Sequence, residues 1–568
     1  MNKIFTLLLL ALSLSAQAAQ LVIDDVNVID VHTGKINKQS VVIDNGKITQ
    51  VGGKIKAAKD AKHVDGSGKW LIPGLVDSHI HLFQSGGLYT RPDVIDLSKI
   101  KSYDSEKQWL KDNAGDLLKR YLSAGITTVI DVGGPLANFE IDKKFDDPTQ
   151  YPNLMLTGPL ISTYQPKAFE IDDSPIIKVN DEAQAIALVQ KQLPYKPDFI
   201  KIWYIALKDQ SAQDSYGIVK ATIDESHKHG LKVAVHATEL ETAKLAIKAG
   251  ADILVHSVKE PIDDEFVAMM VENKVVYIPT LIVHHKYVEA LGQTIKPSQA
   301  DLALANPIPV GTMMDPKHLT DVSVLKRYAD YQPKWAARIQ KEDDFRAANL
   351  KRLSGQPVTI ATGTDAGNIG TMHASSYYDE LDHMQQAGLS NLAILQASTI
   401  NGAKVLGKED SLGSIESGKM ADLVLLNSNP LKDIGALKNI EYVIKGGALH
   451  TPASLIVPTP EQLAQQQLNA YNMRDLEAFL APYADDVEVY KFPNTLNYKG
   501  KDKMRRTYKG MFERVTDLHC ELIKRIVFGD TIIDQERVTG FADGEIIEAT
   551  AIYKIKNNKI SKVYFLRK

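Results

Sequence analysis

A single cysteine in 568 residues, Cys520, cannot close a disulfide within the chain, so stability has to come from a packed core or bound metal, with no disulfide inside the chain. No run of five or more lysines or arginines occurs and the formal net charge is only -4, which excludes the basic footprint of a nucleic-acid or anionic-membrane partner. No stretch reaches the roughly eighteen uninterrupted apolar residues of a membrane-spanning helix. Internal repeats and low-complexity tracts are missing too, so solenoid and disordered classes are set aside.

What is there begins with a leader. Met1-Asn2-Lys3 is a basic start, residues 4–14 are almost wholly apolar, and Ala16-Gln17-Ala18 has the small-x-small spacing of a cleavage site, the pattern of a secretory signal peptide over residues 1–18. With no cysteine near that site for lipid attachment, a periplasmic or secreted protein is expected, off the membrane once the leader is removed. At this length two or three domains are expected.

Residues 19–70 read as short strands with an Asn45-Gly46 hairpin turn, and residues 411–452 read the same way around Gly446-Gly447. Neither piece is large enough alone, so one β-sandwich built from both ends of a central domain is predicted. Between them, residues 71–410 alternate apolar strands with amphipathic segments, the mark of parallel βα units. Strands are expected at 75–82, 127–134, 154–162, 198–204, 232–238, 251–257, 275–283 and 358–367, and eight is the number that closes a (β/α)8 TIM barrel. More than seventy residues between the last two predict a helical cap, unreadable in shape over 291–320. A proline-bearing linker at 453–460 leads into residues 461–568, with helices near 461–471, 475–480 and 501–513 and then a four-stranded antiparallel meander, a separate α+β domain.

The chemistry lies at the strand ends. In LIPGLVDSHIHL, His79 and His81 are two apart on a strand and so share one face. Alone, such a pair is weak evidence for a metal. Barrel enzymes, however, place reactive groups at the C-terminal ends of their strands. Here strand four carries Lys201, strand five ends at His236, strand six at His256 and strand eight at Asp365. Each by itself is also what a core histidine or a helix cap supplies. Six potential ligands on five strands are harder to assign to chance. Tyr204, His284 with His285, and His373 follow strands four, seven and eight, where substrate contacts are made.

This order of HxH, Lys, His, His and Asp, flanked by a split sandwich, resembles the metal-dependent amidohydrolase superfamily. LIPGLVDSHIHL, AGITTVIDVGG, FIKIW, VAVHA, ILVHS, GTDAG and GSIESGKMADLVLL are most similar to its Xaa-Pro dipeptidase (prolidase-like) and imidazolonepropionase-related branch, over residues 21–450. Many relatives have arginine where Ile130 precedes Asp131. The resemblance implies a binuclear centre of two divalent ions, zinc foremost, with His79, His81 and Asp365 on the more buried ion and His236 and His256 on the second. Lys201 would be carboxylated to a carbamate that bridges them. It further implies a metal-bridging hydroxide, with Asp365 as general base, attacking a C-N amide bond in a dipeptide, Xaa-Pro or N-acyl amino acid.

Other readings stay open: a mononuclear cyclic-amide hydrolase or deaminase, an esterase or lactonase on the same site, or a small-ligand binding protein with an inert barrel. The last domain resembles SnoaL-like, ketosteroid-isomerase-like cones, in which Asp534, Glu536 and Glu548 could face inward. Its expected use is to cover the barrel or to join copies in a homo-oligomer.

Overall fold

The computed structural model describes residues 20–206, 211–316, 318–319 and 323–567; the leader expected at 1–18 lies outside them. The first barrel strand, Leu75–Ile80, pairs in parallel with Ile126–Asp131, and that with Asn153–Leu156. A second run joins Leu160–Ser162, Phe199–Trp203, Lys232–His236, Ile253–Val255 and Val276–Ile278, again in parallel. The single strand expected over 154–162 is therefore two strands, broken at Thr157-Gly158-Pro159. Proline has no N–H to give a ladder, and at Gly158 a Cβ would lie 2.6 Å from Gln192 Oε1. The two runs are tied where Asp198 N donates to Leu156 O at 3.0 Å.

The eighth expected strand forms no ladder. Residues 358–367 instead make isolated parallel bridges, Tyr277↔Ile360 on one side and Ile80↔Ala366 on the other, and these close the ring. Closure leaves the strand ends converging on one mouth. Every residue of these strands from Leu75 to Leu156 and from Phe199 to Ile202 is buried except Asn153 and Leu154 at a strand entrance, as a barrel wall covered by helices requires.

Six helices matter for the site: α1 (Tyr103–Ser123), α2 (Val283–Leu291), α3 (Gln299–Leu304), α4 (Pro307–Thr312), α5 (Ser323–Ser354) and α6 (Pro460–Met473). The cap expected between strands seven and eight is α2 to α5. Helix α4 starts where Asn306 accepts from Ile308 N at 3.0 Å, with Pro307 at the first helical position, where its missing N–H costs nothing.

Both ends of the central domain supply one eight-stranded sheet, with Leu423–Leu426 antiparallel to Trp70–Pro73 and the latter beside Leu21–Ile29. It curls around its own cluster of Leu21, Ile23, Val41, Ile43, Leu423, Leu425 and Ile444. The Asn45-Gly46 turn has φ of 49° and 75°, the positive pair that a tight two-residue hairpin demands. The C-terminal α+β domain has a six-stranded sheet, Tyr483–Lys491 and Thr495–Lys499 adding a hairpin to the four strands expected. That hairpin is charged and exposed along much of its length, so its alternation is weak in sequence. Among the described residues no helix is long and apolar enough to cross a membrane.

Candidate metal centre

The barrel mouth brings the strand-end residues together. Asp365 Oδ1 lies 3.3 Å from Nε2 of His79 and 3.3 Å from Nε2 of His81, and its Oδ2 is 3.9 Å from Nδ1 of His256. The His79 and His256 rings are 4.8 Å apart by centroid, and those of His236 and His256 are 4.4 Å apart. His79, His256 and Asp365 each present a ligand atom within 4.8 Å of the other two. His256 and Asp365 hold left-handed backbone, φ of 72° and 57°. For residues other than glycine such a conformation costs on the order of 1 kcal/mol and is kept where the surroundings demand a particular side-chain direction.

Supporting groups aim the ligands. His81 Nδ1 is 2.8 Å from the Gly133 carbonyl, which can only accept, so Nδ1 carries a proton and Nε2 is the ring nitrogen turned toward Asp365. Asp77 accepts from Thr364 Oγ1 at 2.7 Å and Thr364 N at 3.1 Å, pinning the end of the eighth segment, next to Asp365, to the first strand. His256 Nδ1 meets Thr280 Oγ1 at 2.7 Å.

The electrostatics suit cations. Burial pulls the His79 imidazole down to about 3, and burial with the neighbouring Lys201 and His236 draws His236 and His256 well below the ordinary range, leaving neutral donors. Burial also lowers the Lys201 ammonium to about 7. For Asp365 burial acts upward, but the imidazoles of His79, His81 and His256 outweigh it and hold the group as a carboxylate. Buried polar atoms are almost always partnered, yet both ring nitrogens of His79, Lys201 Nζ and Asp365 Oδ1 have no hydrogen-bond partner. Neutral imidazoles, an anionic carboxylate and orphaned donor atoms in one place fit divalent metal ions bound by nitrogen and oxygen ligands.

A chamber of about 520 Å³ opens onto His81, Lys201, His236, His256 and Asp365. Its walls include Phe83, Trp203, Tyr287, Tyr328 and Trp335, with Arg91, Asp93 and His284 among them. Of the substrate contacts expected from loop position, His284 lines the chamber, and its Nδ1 is buried without a partner. Tyr204 is fully buried and its hydroxyl donates to Ala212 O at 2.5 Å. His373 is turned inward as well: Nε2 donates to Gln84 O at 2.7 Å and Nδ1 accepts from Tyr121 at 2.8 Å, so neither nitrogen is left for a ligand.

Arg91, Asp93, Trp203 and Tyr287 were not expected from the sequence. Trp203 has a signal in FIKIW, being two residues beyond Lys201 and so on its face of the strand. Arg91 is the only basic residue between His81 and Lys99. Its Nε and Nη2 grip Asp93 at 2.7 and 2.6 Å, and Nη1 donates to the Tyr287 hydroxyl at 2.9 Å and to Asn368 Oδ1 at 2.5 Å.

Comparison with known proteins agrees with this geometry. The model of the Amidohydrolase family matches residues 70–449, and that of the SnoaL-like domain matches residues 464–563. An uncharacterized protein of Mycobacterium tuberculosis is 25% identical over 392 residues, 68% of this chain and 86% of its own. Imidazolonepropionase of Shouchella clausii is 24% identical over 452 residues, 73% of this chain and 86% of its own. Among solved structures, a Xaa-Pro dipeptidase with methionine bound in its active site superposes with a TM-score of 0.59 at 26% identity, covering 76% of this chain and 100% of that one.

Proposed function

Because the chain belongs to the amidohydrolase family and is a hydrolase of carbon–nitrogen bonds, we propose that it is an exported two-metal enzyme that cleaves the amide of a dipeptide, Xaa-Pro included, or of an N-acyl amino acid. The proposed ligands are His79, His81 and Asp365 for the more buried ion and His236 and His256 for the second. Lys201, as the carbamate formed from its free amine and carbon dioxide, serves both. When bound, such ions, zinc being the proposed pair, polarise a carbonyl and activate a water.

The observation that carries the reading is the orphaned amine of Lys201, buried beside imidazoles it would repel if charged. An ammonium there opposes cation binding, whereas an amine drawn down to about 7 is free to react near neutral pH. Asp365 is the proposed general base. It is anionic, aimed by His79 and His81, and suited to take a proton from water and return it to the departing amine. An amide needs that return, since an amine leaves poorly unprotonated.

The chamber supports the substrate class. Aromatic walls suit an apolar side chain or acyl group. Arg91 has used four of its five N–H donors, leaving one on Nη2 for a carboxylate beside the scissile bond. An ester or lactone satisfies the same carbonyl chemistry and is the second reading to separate.

The test is metal analysis with a substrate panel. Purified protein is expected to bind about two zinc-class ions per chain, and zinc-loaded enzyme to hydrolyse members of a panel of Xaa-Pro dipeptides, other dipeptides and N-acyl amino acids in preference to esters and lactones. Asp365→Asn should keep much of the metal and lose turnover by at least about 10²-fold. One ion per chain, with activity indifferent to Lys201→Ala, would sink the two-metal reading.

A further inference from the structure

Helix α6 is the first element of the C-terminal domain and also its meeting point with the barrel cap. Its apolar residues Leu463, Ala464 and Leu468 join that domain's core. Its amides Gln462, Gln465, Gln467 and Asn469 are buried, and Gln465 and Asn469 face the cap.

Two of them form an unbroken chain of hydrogen bonds. Asp534, on the domain's sheet, holds Arg525 by Nε at 2.8 Å and Nη2 at 2.6 Å. Arg525 Nη1 donates to Gln465 Oε1 at 2.8 Å, Gln465 Nε2 donates to Asn469 Oδ1 at 2.8 Å, and Asn469 Nδ2 donates to the Pro307 carbonyl at 2.7 Å. Pro307 begins α4. The preceding turn is tied as well, since Arg120 Nη1 of α1 donates to Leu304 O and Ala305 O, both at 2.9 Å. The approach of α4 to α6 is so close that a Cβ on Gly311 would stand 2.5 Å from Gln465 Nε2 and 2.9 Å from Asn469 Oδ1.

The far side of the cap grips the loops of the chamber. Thr312 Oγ1, at the end of α4, accepts from Leu88 N at 2.9 Å, three residues before Arg91. Asp301 of α3 accepts from Ser375 Oγ at 2.6 Å, in the loop that follows Asp365. The cap thus lies between α6 and two segments that bear chamber residues.

We infer that the C-terminal domain is a brace for the catalytic mouth. Through Asn469 and Gln465 it seats α3 and α4, and through Thr312 that seating fixes the 86–91 loop and Arg91. Asn469 is a positioning residue: it touches no substrate and acts through the cap. Nothing in this role depends on which bond the enzyme cleaves or how many metals it binds, and its test needs no substrate.

The experiment is hydrogen exchange on the full-length chain, followed by mass spectrometry. Asn469→Ala removes the bond to Pro307, and Gly311→Ala forces α4 off α6 while deleting no bond. A residue change that merely improved helix propensity would slow exchange in α4, because alanine favours helix over glycine. The brace instead requires both variants to exchange about ten-fold faster at 299–312 and at 86–91, with the first barrel strand unchanged. Asn472→Ala is the control. It breaks a bond pair to the Cys520 backbone wholly inside the C-terminal domain and should leave both segments as in the wild type. Wild-type exchange at these segments in either folded test variant overturns the inference, as does equal acceleration by Asn472→Ala. If Asn469→Ala fails to fold, Gly311→Ala decides alone.

Discussion

Replacing Lys201 with methionine separates what the proposed metal site costs from what it does. The Lys201 side chain is 1% exposed and Nζ has no hydrogen-bond partner, so the metal-free fold carries an unsatisfied buried amine. An unsatisfied buried donor costs about 1–3 kcal/mol. Methionine has a similar unbranched length with no polar nitrogen, and a swap that conserves volume costs less than about 1.5 kcal/mol. After chelation, the Lys201→Met barrel should therefore unfold at higher urea than wild type, by about 1–2 kcal/mol when both are followed by tryptophan fluorescence. Metal is expected to reverse the order. At a free ion concentration of 100 Kd a site adds about 2.7 kcal/mol to a protein that binds it only when folded, and the variant forgoes this for any ion that needs Lys201. A chelated variant less stable than wild type, or equal stabilisation of both proteins by zinc, would refute the reasoning.

Two further perturbations address other parts of the molecule. Glu536 is buried in the C-terminal domain, accepts from the Tyr553 hydroxyl at 2.9 Å, and is pushed up to about 8 by burial and by Asp534. Its proton stays on in the folded state where an unfolded chain, near 4.5, has lost it. Stability from this group is therefore lost as pH rises, by about 1.4 kcal/mol per unit between 4.5 and about 8. Denaturant titrations at pH 5.5 and 7.5 should show that slope in wild type and a flatter one in Glu536→Gln; equal slopes count against a neutral Glu536. Arg91→Met should raise KM for N-acyl amino acids by about ten-fold or more, the worth of one charge-assisted hydrogen bond, and change KM little for the corresponding terminal carboxamides. Steady-state kinetics on matched acid and amide pairs decide it, and equal losses on both would remove Arg91 from carboxylate binding.

Much of the site was legible because each proposed ligand lies in or just after a short apolar run. His79 and His81 follow Leu75 and Val76, and Lys201, His236 and His256 each sit in or at the end of a buried strand of three to six residues. Turn chemistry was legible for the same local reason. Asn557 and Asn558 hold φ of 51° and 56° between paired strands, as asparagine tolerates better than most residues. The helices at 461–471, 475–480 and 501–513 lie close to Pro460–Met473, Leu476–Leu480 and Lys501–Arg514, the first two because their caps Thr459 and Asp475 are local signals.

What was not legible depends on distant partners. An apolar run cannot say whether it will ladder, and 358–367 is nearly as apolar as its neighbours yet makes only isolated bridges. The inward turn of His373 depends on Tyr121, 252 positions earlier, and the use of Arg91 on Tyr287, 196 positions later. No periodicity encodes such pairings.

By itself the sequence determined a set of ligand-type residues at strand ends, a barrel order and a second domain of different kind, because strand alternation, turn chemistry and capping act within a few residues. Only the tertiary structure decided that Lys201 would be stranded among imidazoles, that His373 would be used up in packing, and that an asparagine of the last domain would hold the cap of the first. Those outcomes are set by burial and by contacts between segments hundreds of residues apart, where a polar atom gains or loses its partner according to how the whole chain closes.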